Sequence, residues 1–154
     1  MSQLRGHIEA IINLMGEKEA PIEFQLLKKY GKEMHPKKHP LRGSMKKQEC
    51  YANAYALASN ESAYRYCEGH ATTKSLGLAI AHAWVIDRDG KVIDPTWKDG
   101  DHYFGVAFTP LFMYKVVAKT RHYGIFGNLY RLRMRPDCVF QYLENGLQSI
   151  AELP

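Results

Sequence analysis

The stretch His82-Ala83-Trp84-Val85-Ile86-Asp87-Arg88-Asp89-Gly90-Lys91-Val92-Ile93-Asp94-Pro95-Thr96-Trp97 decides how the chain folds. Residues 81–87 read as a strand, Arg88 to Lys91 as a tight turn, and Lys91 to Asp94 as a second short strand stopped by Pro95. Asp-Gly between two apolar runs is a strong hairpin signal. A hairpin closes its own ends, so His82 and Asp94 are expected to be neighbours. A His–Asp pair makes chemical sense if a third residue supplies a nucleophile, and Cys50 lies upstream.

Working outward, residues 49–59 (ECYANAYALAS) are Ala-rich and predict a helix with Cys50, Ala54, Leu57 and Ala58 on one face. Cys50 then sits in the first turn, where free backbone N–H groups and the positive end of the helix dipole favour a thiolate. Residues 62–67 and 103–108 read as strands, and 70–79 as a loop. Thr109-Pro110 is a cap followed by proline at the first helical position, opening a helix to about Lys119. Residues 120–131 read as a Gly-containing loop. Asp137 is the expected cap of a helix over 138–144, interrupted by Asn145-Gly146 and followed by a short amphipathic turn to Leu153.

Upstream, Ser2 caps an amphipathic helix over 2–16 that carries Leu4, Ile8, Ile11, Ile12 and Met15 on one face and stops at Gly16. A second helix covers 21–30, and 32–47 reads as a basic loop, draped or mobile, that leads into Cys50 and can wall a cleft. The expectation is one α+β domain over 1–154 with an antiparallel sheet. Residues 1–47 form a helical N-terminal part with the basic loop, 48–108 the catalytic core and 109–154 a helical C-terminal part.

Composition narrows the function classes. The apolar fraction of 45% and charged fraction of 24% are those of a chain with a real core. No apolar run approaches the roughly 18 residues needed to cross a bilayer, and the N-terminal segment has no signal-peptide pattern. The expectation is a cytoplasmic protein without membrane association. Three Cys at irregular spacing make neither a disulfide framework nor a zinc site, so Cys67 and Cys138 are expected to be structural. His7, His35, His39, His102 and His122 show no metal-ligand spacing, and Asp87, Asp89, Asp99 and Asp101 read as turn acids rather than a calcium loop. No metal and no cofactor is expected. Of the net charge of +5, much comes from Lys28, Lys29, Lys32, Lys37, Lys38, Arg42, Lys46 and Lys47, set against the single acid Glu33. A second cluster is Arg121, Arg131, Arg133 and Arg135. Such charge can hold an acidic protein or nucleic acid through loop 32–47, although no nucleic-acid motif accompanies it and a solvated face is the plainer reading.

A thiol nucleophile needs a base, a group that orients the base, and donors for the oxyanion. His82 can take the Cys50 proton, and Asp94 can fix the imidazole tautomer and stabilise its charged form. The Cys50 backbone N–H is one oxyanion donor, and Gln48 is a candidate for a second. Tyr51, Trp84 and Trp97 are candidates for the cleft wall.

The motifs C-Y-A-N-A-Y-A-L-A, Y-C-E-G-H-A and H-A-W-V-I-D-R-D-G-K-V-I-D-P-T-W together resemble the catalytic core of the transglutaminase-like branch of papain-fold cysteine enzymes. The resemblance covers roughly residues 48–97. It implies a nucleophile helix packed on a small antiparallel sheet with extra helices at both ends, and it matches Cys50, His82 and Asp94 to the family triad. It also places His70 near the cleft, although a surface loop histidine is the plainer reading. Members often carry an aromatic residue shortly before the Cys, where this chain has Lys47-Gln48-Glu49. The chain has no room for the accessory domains and calcium sites of large crosslinking enzymes, and its C-terminal half is similar to small phage and bacterial proteins with such a core. The resemblance implies a cysteine hydrolase or acyltransferase acting on an amide- or peptide-containing substrate. Two readings stand beside it: a non-catalytic binding module using the basic loop, and a small papain-like cell-wall peptidase.

Overall fold

The computed structural model describes residues 2–150. Two helices, α1 (Gln3–Met15) and α2 (Ile22–Tyr30), precede a short strand β1 (Lys32–Met34). Helix α3 (Cys50–Asn60) leads into β2 (Arg65–Thr73), β3 (Ile80–Ile86), β4 (Val92–Ile93) and β5 (Gly100–Phe108). The C-terminal part holds α4 (Pro110–Thr120), a 3₁₀ helix (Phe126–Leu132), α5 (Pro136–Gly146) and β6 (Leu147–Gln148). The architecture is α+β, with one antiparallel sheet in the order β1-β5-β2-β3-β4 and β6 on β5.

The local signals act as their chemistry dictates. Ser2 Oγ accepts from Arg5 N (3.2 Å), Gly16 adopts φ 88° past the end of α1, and Thr109 Oγ1 accepts from Phe112 N (3.3 Å). The hairpin closes through a three-residue loop, with Gly90 N bonded to Asp87 O, Asp87 N bonded to Lys91 O, and Gly90 left-handed at φ 71°. That is a type I turn followed by a glycine bulge, one of the common hairpin closures.

Alternation along β3 sorts its side chains between two clusters. Ala83 and Val85 join the larger one, with Leu4, Ile8 and Ile12 of α1, Leu26 and Leu27 of α2, Ala54, Leu57 and Ala58 of α3, and Met113 and Val116 of α4. Trp84 and Ile86 join the smaller one with Met34, Cys67, Ala71, Val92 and Tyr103. Each fully buried Leu or Ile contributes about 1.5–3 kcal/mol, so the small residues of α3 let that helix lie close against a strongly apolar sheet face.

Several expectations need correction. Residues 32–47 are not a free loop. Lys32–Met34 form an edge strand on β5, and the remainder is laced to the hairpin by Val92 N→His35 O (2.9 Å), Gly43 N→Asp94 O (2.9 Å) and Met45 N→Pro95 O (2.9 Å). Residues 70–73 continue β2 rather than opening a loop, because β5 pairs with all four and β3 also pairs with His70 and Ala71. His70 is therefore a buried strand residue. Residues 126–132 form a 3₁₀ helix where a loop was expected, and α5 starts at Pro136 after Arg135, with Asp137 in its first turn rather than capping it. Cys138 is exposed, whereas Cys67 is fully buried. The turn expected to run to Leu153 lies partly outside the described residues. No described helix is long and apolar enough to cross a membrane.

Candidate functional site

His82 and Asp94 meet as the hairpin dictates. His82 Nε2 donates to Asp94 Oδ2 at 2.8 Å, with the two residues 2% and 0% exposed. A carboxylate withdrawn from water must have its lone pairs filled. Tyr103 Oη donates to the same Oδ2 (2.8 Å), while Thr96 N and Trp97 N donate to Oδ1 (2.9 and 3.0 Å). The last two bonds follow from Pro95, since an Asp before a proline turns the chain and catches the next amides. The Trp97 ring stacks on the imidazole at 3.7 Å between centroids and 12° between planes. Trp84 stands further off at 6.3 Å, buried in the smaller cluster, where its Nε1 donates to Met34 Sδ at 3.3 Å.

Asp94 occupies Nε2 and leaves Nδ1 as the free ring nitrogen. The Cys50 side chain is near enough to His82 to favour its charged form, and no hydrogen bond joins the two among the described residues. Burial alone pushes the His82 pKa down. The hydrogen bond to Asp94, the adjacent Cys50 and the nearby negative charge outweigh it and hold the pKa at about 9, against an ordinary 6.5. The imidazole is thus charged at neutral pH. Only Val85 and Ile86 of β3 pair with β4, so the segment after Asp94 and the start of α3 meet beside His82. Asn53 binds them together: its Nδ2 donates to Thr96 Oγ1 (2.9 Å) and to Lys46 O (2.7 Å).

The N-terminus of α3 is open. Glu49, in the cap position, makes no side-chain bond to the helix, and its carboxylate pairs with Lys46. The first amides of α3 therefore lack intrahelical partners and are available as donors beside Cys50. Gln48 is exposed and left-handed at φ 64°, a backbone state that costs a non-glycine residue about 1–2 kcal/mol. Compared with known proteins, the chain matches no family model, no curated protein and no solved structure.

The other candidates lie to either side. Tyr51 packs against Gly124, where an added Cβ would stand 3.1 Å from its ring, and lines a hollow of about 460 Å³ with Glu49, His122 and Tyr123. Burial first, then the charge of Glu68, raises its pKa. His70 stacks on Phe24 of α2 (5.3 Å, 25°). Burial, then His7, lowers its pKa to about 4, so it is neutral. It packs under the N-terminal helices and makes no bond to His82 or Asp94.

Four residues escaped the sequence reading. Tyr103 and Asn53 fix Asp94 and helix α3, and Thr96 joins them. Glu68 is a fully buried carboxyl on β2 that accepts from Tyr66 Oη (2.6 Å), Phe126 N (3.1 Å) and Ile125 N, pinning the segment that packs on Tyr51. Burial raises its pKa to about 7 against these bonds. Asn53 and Glu68 did leave a trace, as polar residues inside otherwise apolar helix and strand runs. Among the described residues no group of three His, Cys, Asp or Glu is placed to hold a metal.

Proposed function

We propose that this chain is a cysteine-dependent hydrolase or acyltransferase of the transglutaminase-like, papain-fold kind, acting on an amide or peptide bond. The observation that carries the reading is the buried imidazole bonded to Asp94 at 2.8 Å with Cys50 beside it, its pKa raised to about 9. The order of a Cys at a helix start, then a His on a strand and an Asp just past the end of the adjoining antiparallel strand, is the order of that core.

In the proposed reaction His82 holds the thiol proton as imidazolium. The Cys50 sulfur attacks the carbonyl carbon, a C–S bond forms, and the carbonyl electrons move onto oxygen, where the amides at the start of α3 receive the charge. Collapse breaks the C–N bond, and His82 passes its proton to the departing amine. Water or a second amine then attacks the thioester, His82 takes its proton, and the C–S bond breaks to release an acid or a new amide. Asp94 holds the tautomer and orientation throughout.

The rival reading is a binding module. It is weakened because Lys28, Lys29, Lys37 and Lys46 pair with Glu17, Glu144, Asp87 and Glu49, and Arg42 Nη2 donates to Gly100 O (2.7 Å). Iodoacetamide labelling near pH 6 separates the two. The proposal expects Cys50 to react at least about tenfold faster than exposed Cys138, whose thiol has no such base. Cys50 reacting no faster than Cys138, together with salt-sensitive binding of an acidic partner that survives Cys50→Ala, would favour the binding module.

A further inference from the structure

A hollow of about 460 Å³ opens beside the buried pair. Trp97, stacked on His82, lines one side, and Gln48, two residues before Cys50, lines another. The hollow thus lies next to the start of α3 and to the ring that covers His82. Its charge is uneven. Lys47 and Lys98 border it, and neither makes an ion pair among the described residues. The one acid at its edge, Asp99, is already engaged, since Ser75 Oγ donates to its Oδ2 at 2.8 Å. Of the other cations of loop 32–47, Lys37 and Lys46 pair with carboxylates and Arg42 bonds a carbonyl, while Lys32 and Lys38 make no ion pair among the described residues and do not line the hollow.

The backbone on one side of the hollow holds the basic loop close against Lys98. Gly43 is left-handed at φ 61°, and a Cβ there would stand 2.8 Å from Lys98 Cβ, so only glycine lets the loop approach so closely. Gln48 bears a left-handed strain that a surface loop with no further role does not need.

We propose that this hollow is the substrate subsite, and that Lys47 and Lys98 make it select an acidic side chain next to the amide that Cys50 attacks. The inference rests on the cysteine-enzyme reading above and names the substrate class for that same site: an acidic peptide. Two lysines facing one exposed carboxylate favour it by about fivefold over a neutral isostere at low salt. The preference shrinks as salt shortens the screening length from about 10 Å at 0.1 M to about 3 Å at 1 M.

The test compares two probes of equal size, N-iodoacetyl-glutamate α-amide and N-iodoacetyl-glutamine α-amide. Their rates of reaction with Cys50 and Cys138 are followed by mass spectrometry of the full chain. The expected result is a glutamate-to-glutamine rate ratio of about five at Cys50, normalised to Cys138, falling towards one at 1 M salt and in K47Q/K98Q. A ratio near one, with Cys50 still outrunning Cys138 on both probes, overturns the subsite and leaves the nucleophile standing. A preference that persists in K47Q/K98Q assigns the selection to the His82 charge and also overturns it. Cys50 no faster than Cys138 on either probe removes the reading on which the subsite depends.

Discussion

Asp94→Asn is the sharpest perturbation of the site because it changes charge with little change of shape. The amide oxygen of Asn can still accept from Thr96 N and Trp97 N, and its NH₂ can donate to Tyr103 Oη and to a deprotonated His82 Nε2. The fold is therefore retained while the imidazole loses its anionic partner. In the native protein His82 is raised from 6.5 to about 9. That rise of about 2.5 units corresponds to about 3 kcal/mol favouring the charged ring. Without Asp94, burial acts with less opposition and drives the pKa towards or below its ordinary value. The linkage sign follows: a raised histidine stabilises the fold fully below pH 6.5 and loses that contribution as pH rises through 9. In D94N this loss is largely absent. Proton NMR of the His82 ring, assigned by its disappearance in H82Q, should show titration near pH 9 in the native protein and at least about two units lower in D94N. The same titration midpoint in both proteins would refute the claim that Asp94 holds the charge.

The other predictions probe the supports. Glu68→Gln mimics the protonated carboxyl. Since Glu68 titrates at about 7 in the fold against an ordinary 4.5, its contribution is complete below pH 4.5 and lost as pH rises through 7, by about 3 kcal/mol. Urea unfolding should show E68Q gaining that much on the native protein between pH 4.5 and 8, and parallel pH curves would contradict it. Asn53→Ala removes both bonds that tie α3 to Lys46 and Thr96, with an expected loss of about 1–3 kcal/mol by the same method. Gly100→Ala places a Cβ 1.8 Å from Tyr103 Oη, so the ring must leave Asp94. A loss of about 1–3 kcal/mol with a changed His82 titration is expected, and an unperturbed NMR titration would sink the claim that Tyr103 supports the acid.

What could be read from the sequence was local. The Asp89-Gly90 turn announces the hairpin, and the hairpin alone brings His82 to Asp94. Ser2, Gly16 and Thr109-Pro110 mark helix ends through side-chain and backbone chemistry confined to a few residues. What could not be read depends on distant partners. His70 to Thr73 contain no strand signal strong enough to overrule a loop, yet pairing with β5, and with β3 at His70 and Ala71, makes them strand. Lys32 to Met34 are too few to show a period, and their strand exists only because β5 offers an edge. The 3₁₀ helix at 126–132 starts where Glu68, 57 residues earlier, catches the Ile125 amide. Cys138 was expected to be structural, and a helix with one open face put it in solvent instead. Asn53 and Tyr103 do their work across elements that the sequence lists far apart.

The central claim is that Cys50 forms a covalent acyl intermediate through His82 and Asp94. Intact-mass analysis and peptide mapping after incubation with acyl-donor and peptide libraries test it most directly. The account predicts an adduct on Cys50 that hydroxylamine removes and that is absent from Cys50→Ala and His82→Ala. An adduct confined to Cys138, or one on Cys50 that forms equally well without His82, would contradict it.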